Sequence, residues 1–369
     1  MTQSNRLPVT YEGKWSYDIF LTHSYEKIAQ EISRLYGEQN KKICIVTDSN
    51  VAKIYLTDLK KFLGNFTKIS EFIFDAGEAS KNLDTVQKLY EHLIKERFER
   101  KDVLLALGGG VVGDLTGFAA ATYLRGIDFI QVPSTLLSQV DSSIGGKTGV
   151  DFSQYKNMVG AFKQPSLVYL NLAALKSLPK EQFASGMGEV IKHGFIKDSS
   201  YVKFLVEEKD AISGLKEEAL MKMVSESCKI KREVVQNDPT EQGERALLNF
   251  GHTIGHAIEK LSDFRLAHGE CVALGMVAAA YISYKIGNIS KEDLLFIETM
   301  IASYELPTRL TWISLEPEAV LTATKSDKKM AAGRVKFVLL KSIGEAYISR
   351  EVDDTMMLEG ICYVCKKEC

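Results

Sequence analysis

The stretch "LLNFGHTIGHAIEK", residues 247–260, sets His252 and His256 four positions apart, so a helix through it carries both imidazoles on one face. That spacing suits two ligands of one metal ion, and it suits two histidines with different tasks equally well. A zinc protease of the H-E-x-x-H type needs a glutamate directly after the first histidine. Thr253 stands there, so protease chemistry lacks its base. Other ligand types lie nearby in kind: His268 in "LAHGE", just before a helix start, and Glu189 in "SGMGEVIKHG". One carboxylate with two imidazoles fits a catalytic zinc, which keeps a position open for substrate or water.

Cations gather in glycine-rich or helix-opening segments. Lys147 lies in "DSSIGGKTG", Lys156 precedes Asn157 in "YKNMVG", and Lys192 follows Glu189 by three positions. Lys231 in "KIKREVV" and Arg245 in "ERALLNFGH" join them if helices fold over a cleft, and such a set would hold a phosphate and carboxylates. In "LALGGGVVGDLTGF" an apolar run gives way to a helical one. Gly108, Gly110 and Gly113 there satisfy G-x-G-x-x-G, whose backbone N–H groups and helix dipole favour a pyrophosphate. This loop follows the third predicted strand, with no acidic residue at the usual distance beyond it. Asp48, closing the first predicted strand, and Glu78 with Lys81 in "DAGEASKN" offer groups for ribose hydroxyls and phosphate.

These residues need elements to position them. In the first half, β-branched runs ("KICIVTD", "EFIFDA", "VLLALGGG", "DFIQVP") alternate with amphipathic helical stretches, which predicts a Rossmann-like parallel sheet flanked by helices over residues 1–178. From "LPKEQFASGMGEVIKHG" onward long helical patterns dominate. An all-α second domain over 179–369 is expected, with one late hairpin at "RVKFVLL" and "EAYISR", and the two are expected to share a cleft. At 369 residues the chain exceeds one ordinary core. The 46 Lys and Arg against 48 Asp and Glu give no footprint for nucleic acid. "VALGMVAAAYIS" is too short to span a bilayer and the amino terminus lacks a signal-peptide core, so a cytoplasmic protein is expected. Six scattered cysteines then argue for reduced thiols over a disulfide framework, and the tail Cys362, Cys365 and Cys369, lacking a fourth ligand or a nearby histidine, suggests a structural or incidental role over a metal site.

Read together, "GGGVVGDLTGFAAATYLRG", "QVPSTLLSQVDSSIGGKTGV", "KNMVGAF", "SGMGEVIKHG", "LLNFGHTIGHAIE" and "HGECVALGM" resemble the 3-dehydroquinate synthase family, in order, from about Asp48 to Lys329. The resemblance implies a dehydroquinate-synthase-like fold. It also implies conversion of 3-deoxy-D-arabino-heptulosonate 7-phosphate to 3-dehydroquinate and phosphate, a step of the shikimate pathway. NAD+ would be used without net consumption, together with a divalent ion, Zn2+ or Co2+. By that likeness Glu189, His252 and His268 are the metal ligands, while His256 joins Lys147, Asn157 and Asn249 around the substrate phosphate. Arg125 in "YLRG" matches an arginine that reaches the site from the other subunit of a homodimer. Lys192, Lys231 and Arg245 match residues that hold the substrate's carboxylate and hydroxyls, with Asp141 near the reacting carbons, and one of Lys328 and Lys329 closes over the phosphate. For NAD+ the matching positions are Asp48, Glu78, Lys81, Gly109, Gly110, Val111, Asp114, Ser134, Thr135, Leu137, Lys147, Lys156 and Leu178. Sister cyclases making 2-deoxy-scyllo-inosose or valiolone-type rings, and metal-dependent alcohol dehydrogenases of the glycerol-dehydrogenase type, resemble it more distantly.

Overall fold

The computed structural model describes residues 5–37, 41–64, 68–153, 155–263, 265–311, 313–325, 330–331 and 334–367. The chain divides into two compact units, Met1–Leu178 and Pro179–Cys369.

Unit 1 runs β1 (Arg6–Tyr11), β2 (Lys14–Thr22), α1 (Ile28–Tyr36), β3 (Lys42–Asp48), α2 (Ser49–Val51), α3 (Thr57–Phe62), β4 (Lys68–Phe74), α4 (Leu83–Lys95), β5 (Val103–Gly108), α5 (Gly110–Thr122), β6 (Asp128–Pro133), β7 (Lys147–Phe152), β8 (Tyr155–Phe162) and β9 (Leu167–Asn171). Seven strands form one sheet in the order β1-β2-β9-β6-β5-β3-β4, parallel except for the β1–β2 hairpin. The runs in β3 and β5 are continuously apolar because both faces are covered. Cys44, Val46, Leu104 and Ala106 pack on one side with Val86, Leu89 and Leu115. Ile43, Ile45, Val103 and Leu105 pack on the other with Ile28, Ile32 and Leu59.

The four strands expected from sequence are β3, β4, β5 and β6. Three of the others were hidden for identifiable reasons. β1 carries Pro8, tolerated because β1 is an edge strand. β2 contains a buried charge, Asp18, which bonds Arg6 at 2.8 Å and also contacts Arg34. β8, "YKNMVGAF", pairs only with β7 and is largely exposed, so no apolar alternation marks it.

Unit 2 contains α6 (Lys180–Lys197), α7 (Ser199–Glu207), α8 (Lys209–Ser213), α9 (Glu217–Asn237), α10 (His252–Leu261), α11 (His268–Lys285), α12 (Lys291–Ser303), α13 (Pro317–Lys325), the pair β10 (Met330–Ala331) and β11 (Arg334–Val335), the hairpin β12 (Phe337–Ser342) and β13 (Glu345–Ser349), and α14 (Asp354–Cys365). The expected late hairpin is β12–β13, with Phe337 opposite Ser349. α11 is apolar nearly all round because it is the central helix, packed against α6, α10, α12 and α14. No helix among the described residues is long and apolar enough to cross a membrane. Cys44, Cys228, Cys271 and Cys365 are free and buried. Cys362 is disulfide-bonded, which corrects the expectation of reduced thiols throughout; an argument from compartment bears on the whole chain and not on two particular sulfurs. Cys369 lies outside the described residues.

Candidate functional site

In unit 2, α6 carries Glu189 and, one turn on, Lys192, both fully buried. Glu189 Oε2 accepts a hydrogen bond from Lys192 Nζ. Its Oε1 lies 3.5 Å from His252 Nε2 and 3.6 Å from His268 Nε2. Those separations are longer than an N–H···O hydrogen bond, about 2.7–3.2 Å. They fit the edges of a coordination tetrahedron, because donors about 2.0–2.2 Å from one ion stand about 3.4 Å apart. An isolated buried carboxylate is costly. Lys192 neutralises one oxygen, and a cation held between the other and two imidazoles would neutralise the second.

Local structure turns these groups inward. His252 opens α10, and its Nδ1 lies 3.2 Å from the Phe250 carbonyl, which leaves Nε2 to face Glu189. His268 is the first residue of α11. The start of that helix is fixed by the Ala267 N–H donating to Glu270 Oε2 at 2.7 Å, and is tied to α6 by the Gly269 N–H donating to Ser185 Oγ at 3.0 Å. Burial lowers the His268 pKa, but the neighbouring carboxylates of Glu189 and Glu259 outweigh it and push the ring up to about 9. His256 shares the α10 face, its ring centroid 5.0 Å from that of His252 and 5.8 Å from that of His268. The ligand atoms of these three histidines lie within 4.8 Å of one another, so they form a second candidate group that shares His252 and His268.

Lys231 on α9 and Arg245 in the 3-10 segment Glu244–Asn249 are buried, and α6, α9 and that segment pack on one another. Arg245 is held at its backbone by Asp238, whose carboxylate accepts N–H bonds from Gln242, Gly243 and Arg245 at 2.9, 2.7 and 3.0 Å. Burial raises the Asp238 pKa, but these donors together hold it below the ordinary carboxylate range. Asn249 Nδ2 donates to Glu241 Oε1 at 2.8 Å. Asp238, Glu241 and Glu259 were not among the residues expected from sequence. "NDPTEQGER" reads as a charged spacer, although Asp before Pro signals an ordered turn.

In unit 1 the chain leaves β3 outward to β4 and returns to β5 on the other side of β3. The carboxyl ends of β3 and β5 therefore flank a switch point, the usual place for a nucleotide in such a sheet. Asp48 ends β3, where its Oδ1 accepts the N–H groups of Asn50 and Val51 at 2.8 and 2.9 Å. Gly109 caps α5, which continues through Gly110, Val111 and Asp114. A Cβ on Gly109 would come 3.2 Å from the Thr135 methyl, and one on Gly110 3.3 Å from Ser142 Oγ, so a side chain would fill the cradle. The Ser134 N–H donates to Gly108 O at 2.8 Å, and the Thr135 and Ser138 hydroxyls are 2.8 Å apart. The donor-rich loop, its bare backbone and the helix N-terminus suit a dinucleotide phosphate.

Lys81 is buried among carboxylates, 2.8 Å from Glu78, 3.6 Å from Asp114 and 3.7 Å from Asp151. Burial pushes the Asp114 carboxyl up to about 7 although Lys81 pulls it down. The folded state thus holds this proton more tightly than the unfolded chain. The stability it gives is complete below pH about 4 and is lost as pH rises through 7. Asp114→Asn, a mimic of the protonated form, should stabilise the nucleotide-free protein at pH 8 by on the order of 2 kcal/mol, with the gain fading at pH 4. Thermal unfolding across that range checks it, and a gain independent of pH would contradict it.

Asp141 lies in the π turn Ser138–Ser142, which Leu137 precedes. Lys147 begins β7, while Lys156 and Asn157 lie exposed on β8. Asn157 adopts left-handed φ (51°) and its N–H donates to Asp151 Oδ1 at 2.8 Å. Arg125 ends an exposed turn with φ 68°, and Leu178 is the last residue of unit 1. Lys328 and Lys329 lie outside the described residues.

The family described as 3-dehydroquinate synthase N-terminal matches residues 71–185, and its C-terminal counterpart matches 186–330. The 3-dehydroquinate synthase of Acetivibrio thermocellus is 42% identical over 350 residues, 94% of this chain and 95% of that protein. Among solved structures, 2-epi-5-epi-valiolone synthase from Streptomyces hygroscopicus, with NAD+ and Zn2+ bound, superposes with TM-score 0.87 at 23% identity, covering 98% of this chain and 99% of that one. A 2-deoxy-scyllo-inosose synthase complexed with carbaglucose-6-phosphate, NAD+ and Co2+ gives 0.85 at 24%, covering 96% and 99%. At those identities the structures speak for the fold, whereas the family matches and the relative above 40% speak for descent: this chain belongs to the 3-dehydroquinate synthase family.

Proposed function

We propose that this chain is a 3-dehydroquinate synthase, a lyase that converts 3-deoxy-D-arabino-heptulosonate 7-phosphate to 3-dehydroquinate and phosphate with NAD+ and a divalent ion, Zn2+ or Co2+. The observation that carries this reading is Glu189 Oε1 set 3.5 and 3.6 Å from two inward-turned imidazoles, with Lys192 on the same carboxylate. Bound to Glu189, His252 and His268, the ion supplies Lewis acidity toward a substrate hydroxyl. NAD+ supplies a hydride acceptor that is restored within each turnover, and the glycine cradle after β5 is its site in this reading.

The chain's own residues bind, orient and stabilise charge. Lys192, Lys231 and Arg245 are cations that burial has already stripped of water, so they can grip the substrate's carboxylate and hydroxyls without further desolvation. Asn249, held by Glu241, and His256 are assigned to the phosphate, with Lys147 and Asn157. These donors stabilise charge on phosphate as it leaves, and leaving phosphate is itself a base able to accept the adjacent proton. Arg125, exposed on its turn, is assigned to the site of a second copy in a cytoplasmic homodimer.

The test is phosphate release from that heptulosonate phosphate by purified protein with zinc and substoichiometric NAD+, while NADH absorbance is followed. Phosphate in many-fold excess over NAD+, with no net NADH and with loss on chelation, is expected. Phosphate released only from a different sugar phosphate would point to a sister cyclase. Steady NADH production from glycerol would overturn the lyase reading altogether.

A further inference from the structure

α10 places His252, His256 and Glu259 at i, i+4 and i+7, one face of the helix. Glu259 is buried, and its Oε2 lies 3.4 Å from His268 Nδ1, the nitrogen opposite the one that faces Glu189. The position is a poor one for an acid on stability grounds. Glu259 sits in the last turn of α10, where the unpaired carbonyls make the helix end negative, and burial adds a desolvation cost. The chain nonetheless places a carboxylate there, against the His268 ring. The two imidazoles facing Glu189 are therefore backed unequally: His252 by the neutral carbonyl of Phe250 at 3.2 Å, and His268 by an anion.

Resting on the reading of Glu189, His252 and His268 as a metal site, we infer that Glu259 is a positioning residue that sets the tautomer and basicity of His268. Accepting a hydrogen bond from Nδ1–H keeps the proton on that nitrogen and leaves the Nε2 lone pair directed at the ion. It also lets the ring share the carboxylate's charge, which strengthens the nitrogen as a donor. In this role Glu259 touches neither substrate nor ion; it acts through His268.

The experiment measures Zn2+ and Co2+ affinity of the metal-stripped protein by competition with a chromophoric chelator. Glu259→Gln and Glu259→Asp are compared with wild type. Glu259→Gln should bind either ion about 10–100-fold more weakly, and the visible spectrum of its Co2+ form should shift because the ligand field at His268 changes. Glu259→Asp, with the carboxylate drawn back, should fall between, so the inference stays testable even if the glutamine variant folds poorly. A residue serving only packing would alter unfolding of the metal-free protein and leave affinity and the Co2+ spectrum alone, an outcome that overturns the proposal. Absence of tight metal binding in wild type would overturn the site reading, and this inference with it. Tight binding unchanged in both variants would overturn the inference alone.

Discussion

Glu189→Gln is expected to strip the protein of its metal and to lower phosphate release by at least about a thousandfold, some 4 kcal/mol of transition-state stabilisation. Glutamine has nearly the shape of glutamate, so the loss would be one of charge. Oε1 is the atom that faces both Nε2 donors, and a neutral amide oxygen in its place binds a divalent ion far more weakly. A second effect runs through Lys192, whose ammonium is buried against Oε2. With the carboxylate gone it is left without its counter-charge, a change that typically costs about 3–5 kcal/mol unless the lysine gives up its proton. Metal content after gel filtration and phosphate release under excess zinc are the two measurements. One tightly held ion per chain and turnover within tenfold of wild type would transfer the site to the group of His252, His256 and His268.

The metal set shows what a sequence can and cannot reveal. Helical spacing made His252 and His256 look like a pair, and both do share a face of α10. Yet the structure sets Glu189 against His252 and His268, and no periodicity links residue 189 to residue 268. They meet because α11 lies on α6, with the Gly269 N–H on Ser185 Oγ. Strands β3, β5 and β6 were legible because both faces of each are buried and their apolar runs are nearly unbroken, whereas β4, half-exposed at the sheet edge, was legible only from the short run "EFIF". β7 and β8 were not, since they form a hairpin outside the main sheet whose chemistry-bearing residues, Lys147, Lys156 and Asn157, face outward. The Asp238 turn escaped notice for a related reason. Its order comes from backbone N–H groups converging on one carboxylate, and N–H groups leave no trace in residue type.

The close contact of helices makes Gly275→Ala one of the most damaging small substitutions expected in unit 2. A Cβ there would stand 1.8 Å from the Gly251 carbonyl oxygen and 2.9 Å from the Gly255 nitrogen. Both are backbone atoms, so no rotamer change relieves the clash, and α10 and α11 must separate. Gly251 has little freedom to yield: it caps α10 in the left-handed region, φ 82°, and on the side where a Cβ would stand it faces α11, with Val272 O and Met276 N within 2.7 and 2.8 Å of that position. A loss of about 3 kcal/mol or more follows, at the severe end for overpacking, and for a unit of this size about 6–12 °C in Tm. His252 directly follows Gly251 and His268 begins α11, so the separation that admits the methyl also pulls apart the two imidazoles facing Glu189. Zinc affinity should therefore fall in the same variant, even at temperatures where the protein remains folded. A Tm within 2 °C of wild type would mean that the helices slide past the methyl; weakened stability with undiminished zinc binding would mean that the metal ligands ride on their helix starts independently of how closely the helices cross.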